Sequence, residues 1–322
     1  MVAPRQGVHE SIRRTRAQRH AARGVGLVTP PTPDARPGRA RGRRMSCGST
    51  RTSAPGRRVS VGGGRLARMC GRYASFREDQ AIADEFAVAT VADDVRLLPP
   101  SWNVAPTDGV RTVVERADRA TGEITRQLRV ARWGLVPSWA KDPSVGSRMI
   151  NARVETVADK PAFARAFAAR RALLPADGYY EWQAPPDAPA GAPRSRRAPK
   201  QPFWIHPADD DLAALAGLYE FWRDPGKADD APDRWLVTVT VVTRPATEAM
   251  APIHDRQPVI LPRDAWSAWL DPAVGADEAR DLLTVAPPRL TAVPVSTRVN
   301  AVANNSPALL DPVDVDGSQS PA

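Results

Sequence analysis

Cysteine is almost missing from this chain. Its 322 residues hold two, Cys47 and Cys70. A disulfide-stapled scaffold has no basis here, and so sparse a thiol inventory fits a reducing cytoplasm. No run of 18 or more apolar residues occurs, so neither a transmembrane helix nor a membrane partner is expected. Residues 1–68 also lack the 7–15-residue apolar core of a secretory signal. G-x-G-x-x-G, Walker A, H-E-x-x-H and C-x-x-C patterns are all missing. Beyond residue 68 there are two histidines, His206 and His254, and one thiol, far apart and without ligand spacing. No metal and no cofactor is expected from such an inventory.

What is abundant is unevenly placed. The net charge of +9 and the pI near 10.3 suggest a nucleic-acid binder. However, residues 1–68 hold 16 Arg, no Lys and two acids, a net of +14. The remaining residues hold 29 bases against 34 acids, a net of −5. Any nucleic-acid site in the body is therefore a local patch, not a global field. The leader, with "TPPTPDARPGRARGRR" at its extreme, shows no period of 3.6 or 2. It reads as disordered, since it cannot bury enough apolar area to offset chain entropy. A basic arm on phosphate, a transit peptide, and a segment outside the mature protein are its three readings. Composition changes abruptly in "GRLARMCGRYASF", residues 64–76.

From residue 69 the pattern is globular. Ser75 and Glu78 form a possible capping box before a helix over "EDQAIADEFA". "LPPSWNVAPT" (98–107) reads as a proline-punctuated loop. "RTVVERA" and "ITRQLRVARWGLVP" read as strands around a turn at Thr121-Gly122. Asp159 is a candidate N-cap for "KPAFARAFAARRA". "ALLPADGYYEW" reads as strand, turn at 176–178, and strand. Residues 183–201 form a low-complexity hairpin insertion. "PFWIH", "LAALAGLYE" and "RWLVTVTVVT" are further strands, "RDAWSAWL" and "DEARDLLT" short helices. Many short strands with interspersed helices, and no βαβ rhythm, indicate an α+β fold. A single domain over 69–313 is expected, built on a mainly antiparallel sheet or barrel with peripheral helices. Residues 314–322 read as a polar tail.

Several polar residues stand in apolar surroundings. Asn151, Arg153 and Glu155 alternate in "MINARVET" and would share one strand face. Glu181 sits among aromatics in "GYYEW", where loss of water disfavours a charge. His254 in "APIHDRQPVIL" is either a turn cap bonded to Asp255 or a functional imidazole. Cys70 is either a small buried hydrophobe or a nucleophile, and a Cys70–His254 dyad is arithmetically possible. Trp102, Trp139 and Trp182 could stack on bases, whereas Trp133 in "ARWGL" reads as core.

Eight segments occur in an order that resembles the SOS-response-associated peptidase family: "MCGRYA", "WNVAPT", "RWGLVPSWAKD", "INARVET", "LLPADGYYEW", "VTVVT", "IHDRQPVIL" and "VSTRVNAVANN". The resemblance covers 69–313 and leaves out the leader. It implies a barrel-like β core and a DNA-damage role. The partner would be single-stranded DNA containing abasic sites, bound by a monomer. The initiator Met69 would be removed, leaving Cys70 as N-terminus to form a thiazolidine crosslink with the ring-opened sugar. Catalytic roles would fall on Cys70, Asn151, Glu181 and His254. DNA contacts would fall on Arg72, Asn103, Pro106, Trp139, Arg153, Trp182, Thr243 and Arg256. Ala140 follows Trp139 where some members carry a second aromatic, which reduces the stacking surface. Gln257 replaces a basic or apolar residue, a change expected to be tolerated. Two other readings stand beside this one: a self-processing cysteine peptidase that releases Cys70, and a non-covalent single-strand binder with an inert thiol.

The chemistry favours the crosslinking reading. An aldehyde is attacked only by an unprotonated amine. A lysine is free to about one part in a thousand at neutral pH, an α-amine to roughly ten per cent. An N-terminal cysteine adds a thiol that closes a five-membered ring without a second encounter.

Overall fold

The computed structural model describes residues 71–117, 121–185 and 199–314. Cys70, the Arg-rich leader, most of the 183–201 insertion and nearly all of the polar tail lie outside the described residues. In chain order the elements are β1 (Arg72–Ser75), α1 (Asp79–Glu85), β2 (Thr90–Val91), β3 (Ser101–Val104), β4 (Gly109–Ala117) and β5 (Ile124–Trp133). Next come β6 (Asn151–Arg153), α2 (Ala164–Ala169), β7 (Arg171–Ala176), β8 (Gly178–Gln183) and β9 (Gln201–Pro207). The chain continues through β10 (Ala213–Arg223), β11 (Trp235–Pro245), β12 (Arg256–Pro258), α3 (Trp266–Leu270), α4 (Ala276–Leu282) and β13 (Leu290–Pro294).

Five strands close into a ring. β5 pairs antiparallel with β4, β4 with β7, β7 with β10, and β10 with β11. β11 then returns to β5 through a short parallel pairing, Thr238 opposite Arg132 and Val239 opposite Trp133. Closure removes the unpaired edges that an open sheet of this kind would expose. The run "WLVTVTVVT" suits the hub position, because β-branched side chains pack well on a pleated surface. Beyond the ring closure, β6 runs parallel to β11 at Val241–Thr243, and β12 pairs antiparallel at Thr243–Pro245. A second sheet has the order β13-β9-β8-β1-β3. The fold is α+β with a mainly antiparallel barrel core and few helices.

The two largest of four apolar clusters among the described residues hold these layers. One joins the second sheet to the barrel through Tyr73, Tyr179, Ile205, Trp133, Leu174 and Val239. The Tyr73 and Trp133 rings meet edge to face at 5.3 Å. The other buries the helices, with Phe86 stacked on Trp266 at 4.3 Å and Trp269 fully buried. Each ring buried this way contributes about 2–3 kcal/mol by area alone.

The structure revises several local expectations. α1 starts at Asp79, and Ser75 belongs to β1 rather than to a capping box. Asp177 takes the turn instead: its Oδ2 accepts from the Phe76 amide at 2.7 Å, and its Oδ1 from Arg77 Nε at 3.0 Å. α2 begins only at Ala164, because 156–163 form turns that seat Phe163 in the core. The proline-punctuated 98–107 stretch contains strand β3. β13, between proline-containing segments, gave no strand signal in the sequence. β7 and β8 do not pair as a hairpin. They diverge at Asp177 into different sheets, since β10 and β4 hold β7 while β1 and β9 hold β8. The 183–201 insertion does join a hairpin, with Gln183 opposite Gln201.

Candidate active site

Glu181 lies on β8 and is 2 % exposed. Strand alternation sets it on the face of Tyr179, away from Tyr180 and Trp182. His254 precedes β12 on the loop that returns from β11. That loop is closed by the Ala246 amide on the Asp255 carbonyl at 3.0 Å. The His254 amide donates to the Met250 carbonyl at 3.2 Å. These restraints hold the imidazole with Nε2 at 3.8 Å from Glu181 Oε1. The carboxylate, from β8, and the imidazole, from the loop before β12, therefore meet at ion-pair distance.

The other ring nitrogen has two neighbours. The Arg256 amide approaches Nδ1 at 3.1 Å, and Asp255 Oδ1 lies 2.8 Å from it. One nitrogen cannot serve both at once. The neutral ring accepts from the amide and carries its hydrogen on Nε2, toward Glu181. The imidazolium instead donates Nδ1–H to Asp255 and faces Glu181 with Nε2–H. Both protonation states thus have a partner, which is what a group that moves a proton requires.

Register brings the chain end of interest to the same place. Arg72 is opposite Tyr180, and Tyr73 opposite Tyr179. Continuing that antiparallel register by one step sets Gly71 beside Glu181. Gly71 is the first described residue of the chain. Cys70, the candidate nucleophile, lies outside the described residues.

Asn151 opens β6 opposite Val241, and Arg153 is opposite Thr243 and exposed. Arg256 is 9 % exposed. Its guanidinium makes two bonds to the Glu155 carboxylate, at 2.6 and 3.0 Å, and one to the Thr243 carbonyl at 2.7 Å. The hydrogen bond from Arg256 holds the Glu155 carboxyl below its ordinary range. Glu155 lies past the end of β6, so it reaches Arg256 from a turn rather than sharing a strand face with Asn151 and Arg153. Thr243 is fully buried, with Oγ1 near the Ala152 carbonyl at 3.4 Å. Gln257 is also fully buried, and its Oε1 accepts from the Thr247 amide at 2.8 Å. It thereby anchors the start of the loop that presents His254.

A second group of candidate residues converges on the segment 299–305. Arg72 donates to Asn103 Oδ1 at 2.7 Å and to the Val299 and Asn300 carbonyls at 2.8 and 3.2 Å. Burial lowers the Arg72 guanidinium from its ordinary value, opposed by Asp108 and Tyr180. Asn103 Nδ2 donates to the carbonyls of Val299, Ala301 and Asn304, at 3.2, 3.1 and 2.8 Å. Trp182 Nε1 donates to Asn300 Oδ1 at 2.7 Å. In "VSTRVNAVANN" the irregular backbone leaves carbonyls without strand or helix partners, and Asn103 and Arg72 supply donors to them.

Pro106 is half-buried in the tight β3–β4 turn, beside Thr107 with φ of 79°. A positive φ is unusual for a β-branched residue and marks a strained loop. Trp139 is 65 % exposed. It sits on the loop after β5, which is tied to the first half of β11 by Val136 N to Thr238 Oγ1 at 2.9 Å. His206 is half-buried near Asp210, on the strand paired with β8 but three positions past Phe203, the partner of Glu181, and on the opposite face. Among the described residues no group of three His, Cys, Asp or Glu side chains could hold a metal ion. No helix of the described residues is long and apolar enough to cross a membrane.

A barrel that sets a buried carboxylate against an imidazole beside a strand N-terminus defines a class: α+β domains built around a carboxylate–imidazole pair. Residues 69–302 match the family described as SOS response associated peptidase (SRAP), and the chain belongs to it. The abasic site processing protein YoqW of Bacillus subtilis (strain 168) is 36 % identical over 245 residues, 76 % of this chain and 99 % of that protein. The abasic site processing protein HMCES of Xenopus tropicalis is 30 % identical over 249 residues, 69 % of each chain. A crystal structure of a protein from Bacteroides thetaiotaomicron shares the fold, with a TM-score of 0.60 at 20 % identity over 76 % of this chain and 100 % of that one.

Proposed function

We propose that this protein processes abasic sites in single-stranded DNA by crosslinking to them through an N-terminal Cys70. The reading is carried by one juxtaposition: the Glu181–His254 pair stands where the β1–β8 register brings Gly71, the residue bonded to Cys70. Connectivity keeps the Cys70 Cα about 3.8 Å from that of Gly71. The names of the relatives, and the start of the family match at Met69, support the same reading. It requires that the working chain begin at Cys70, by removal of Met69 or by cleavage before Cys70.

The steps balance as follows. The Cys70 α-amine adds to the sugar aldehyde carbon, and the resulting carbinolamine loses water to give an imine. The thiol then adds across the C=N bond: sulfur bonds the carbon and the thiol proton ends on nitrogen. Glu181 donates the proton to the leaving hydroxyl and recovers one from the nitrogen as the neutral imine forms. His254 protonates the sugar ring oxygen and regains a proton from the anomeric hydroxyl as the aldehyde opens. Asn151 orients the amine or the sugar. Exposed Arg153 meets a phosphate, while Thr243 and Glu155 hold Arg256 and thereby the amide that fixes His254 Nδ1. Arg72 and Asn103 act through the 299–305 segment, and Trp182 and Trp139 offer ring faces to bases.

The test mixes protein beginning at Cys70 with an oligonucleotide carrying one abasic site, followed by a denaturing gel. Wild type gives a retarded covalent band and Cys70→Ala gives none. Cys70→Ser keeps the amine and yields only a hydrolysable imine. A stable band from Cys70→Ala rules the reading out.

A further inference from the structure

The ring of strands opens on a cavity of about 550 Å³ where β5 and β11 splay apart before their short pairing. Val237 lines it, six positions along β11 from Thr243, so it lies about 20 Å from the Thr243–Arg256 end of that strand. It is a separate feature from the Glu181–His254 site.

Its charge is one-sided. Arg116, Arg129, Arg165 and Arg170 line it, against a single carboxylate, Glu220. Glu220 is already committed to Arg170 Nη2 at 2.6 Å. Arg170 Nε is buried and has no partner among the described residues. Arg116 lies over the Phe221 ring at 5.1 Å, and Arg129 donates to the neutral Gln127 Oε1 at 3.0 Å. Among the described residues neither Arg116, Arg129 nor Arg165 has an acidic partner. Guanidiniums gathered this way repel one another until an anion enters. Burial raises the Tyr219 phenol above its ordinary value, while Arg116, Arg170 and Arg129 pull it back, so three cations act on one point of the cavity.

The wall is also aromatic. Tyr219, Phe221 and Trp235 line it, with Trp235 47 % exposed. The volume falls within the range of small-molecule sites and far exceeds what one phosphate fills. Arginines bind phosphate oxygens bidentately, and open ring faces accept planar bases.

We propose that this cavity is a nucleotide subsite, with a phosphate held by Arg129 and Arg116 and a base laid against Trp235. The nucleotide has two possible sources: a free mononucleotide, or a unit of a DNA strand running past Ser138, which lines the cavity next to Trp139. The proposal does not rest on the Cys70 chemistry.

Calorimetry on the full chain tests it with deoxyadenosine monophosphate, deoxyadenosine and inorganic phosphate as probes. The expected result is saturable binding of the monophosphate, with each fragment at least tenfold weaker. Arg129→Glu lowers monophosphate affinity at least tenfold at an unchanged thermal midpoint, and Arg129→Lys keeps most of it. Repeating the titration with a saturating 20-nucleotide strand separates the sources: competition assigns the site to the strand, independence to the free nucleotide. Absence of monophosphate binding, equal affinity of inorganic phosphate, or an Arg129→Glu protein that binds like wild type overturns the proposal.

Discussion

Asn103 offers the sharpest test of how the site is built, because it was read from sequence as a DNA contact and the structure buries it at 3 % exposure. Its carboxamide oxygen accepts from the Arg72 guanidinium, and its nitrogen faces three carbonyls of the 299–304 segment. Replacing it with alanine removes one charged hydrogen bond, worth about 1.5–3 kcal/mol, and two neutral ones of about 1 kcal/mol each. The expected loss is about 3.5–5 kcal/mol. With a urea slope of about 3 kcal/mol/M, the unfolding midpoint falls by roughly 1.2–1.7 M. Asn103→Asp is worse at neutral pH, since a carboxylate cannot donate and would face three carbonyl oxygens. Urea unfolding followed by tryptophan fluorescence measures both, and limited proteolysis reports whether 298–305 opens first. A midpoint shift below about 0.2 M for Asn103→Ala, or tolerance of Asn103→Asp, refutes the scaffold role. Loss of single-strand binding at unchanged stability would return Asn103 to the DNA surface.

Other consequences follow from the same contacts. Gly134 has φ of 127°, and a Cβ there would lie 2.5 Å from the Gly146 carbonyl oxygen; Gly134→Ala is expected to lower stability by more than about 2 kcal/mol in thermal melts, through strain and backbone collision. Gln257→Leu removes the acceptor for the Thr247 amide and is expected to cost about 1–2 kcal/mol while slowing crosslinking, so full activity in a gel time course contradicts its positioning of the His254 loop. Glu155 is held below its ordinary value of 4.5 by Arg256. Its folded pKa is lower than its unfolded one, so its contribution is complete above about 4.5 and is lost as pH falls through the depressed value. Thermal midpoints from pH 7 to 3 should therefore fall less steeply for Glu155→Gln, and parallel curves would contradict the linkage.

Much of the barrel was legible because its strands carry local signals. "WLVTVTVVT" and "ITRQLRVARW" are β-branched or alternating, and both form long strands. Closure was not legible, since it depends on the parallel contact of Val239 with Trp133 across a hundred residues of sequence. The same limit applies at 176–178: strand, turn and strand are where the sequence indicated, but a turn signal cannot say that the strands on either side leave for different sheets. Ser75 and Asp159 matched capping patterns, yet Asp177 and the buried Phe163 determine those turns through tertiary contacts. In the candidate site, Glu181 and His254 stood out as polar groups in apolar stretches, and they meet. The holding roles of Glu155, Gln257 and the 299–305 carbonyls were not legible, because their partners lie far along the chain.

The central claim is that Cys70 closes a ring on the sugar aldehyde with both its amine and its thiol. Intact mass spectrometry of protein beginning at Cys70, reacted with an abasic single-stranded oligonucleotide and then treated with borohydride, tests it most directly. The expected product is an adduct at the sum of the two masses less one water, unchanged by the reductant, with none from a chain that keeps Met69 before Cys70. An adduct that gains two hydrogens on reduction, or that forms with Cys70 still inside a peptide bond, would contradict it.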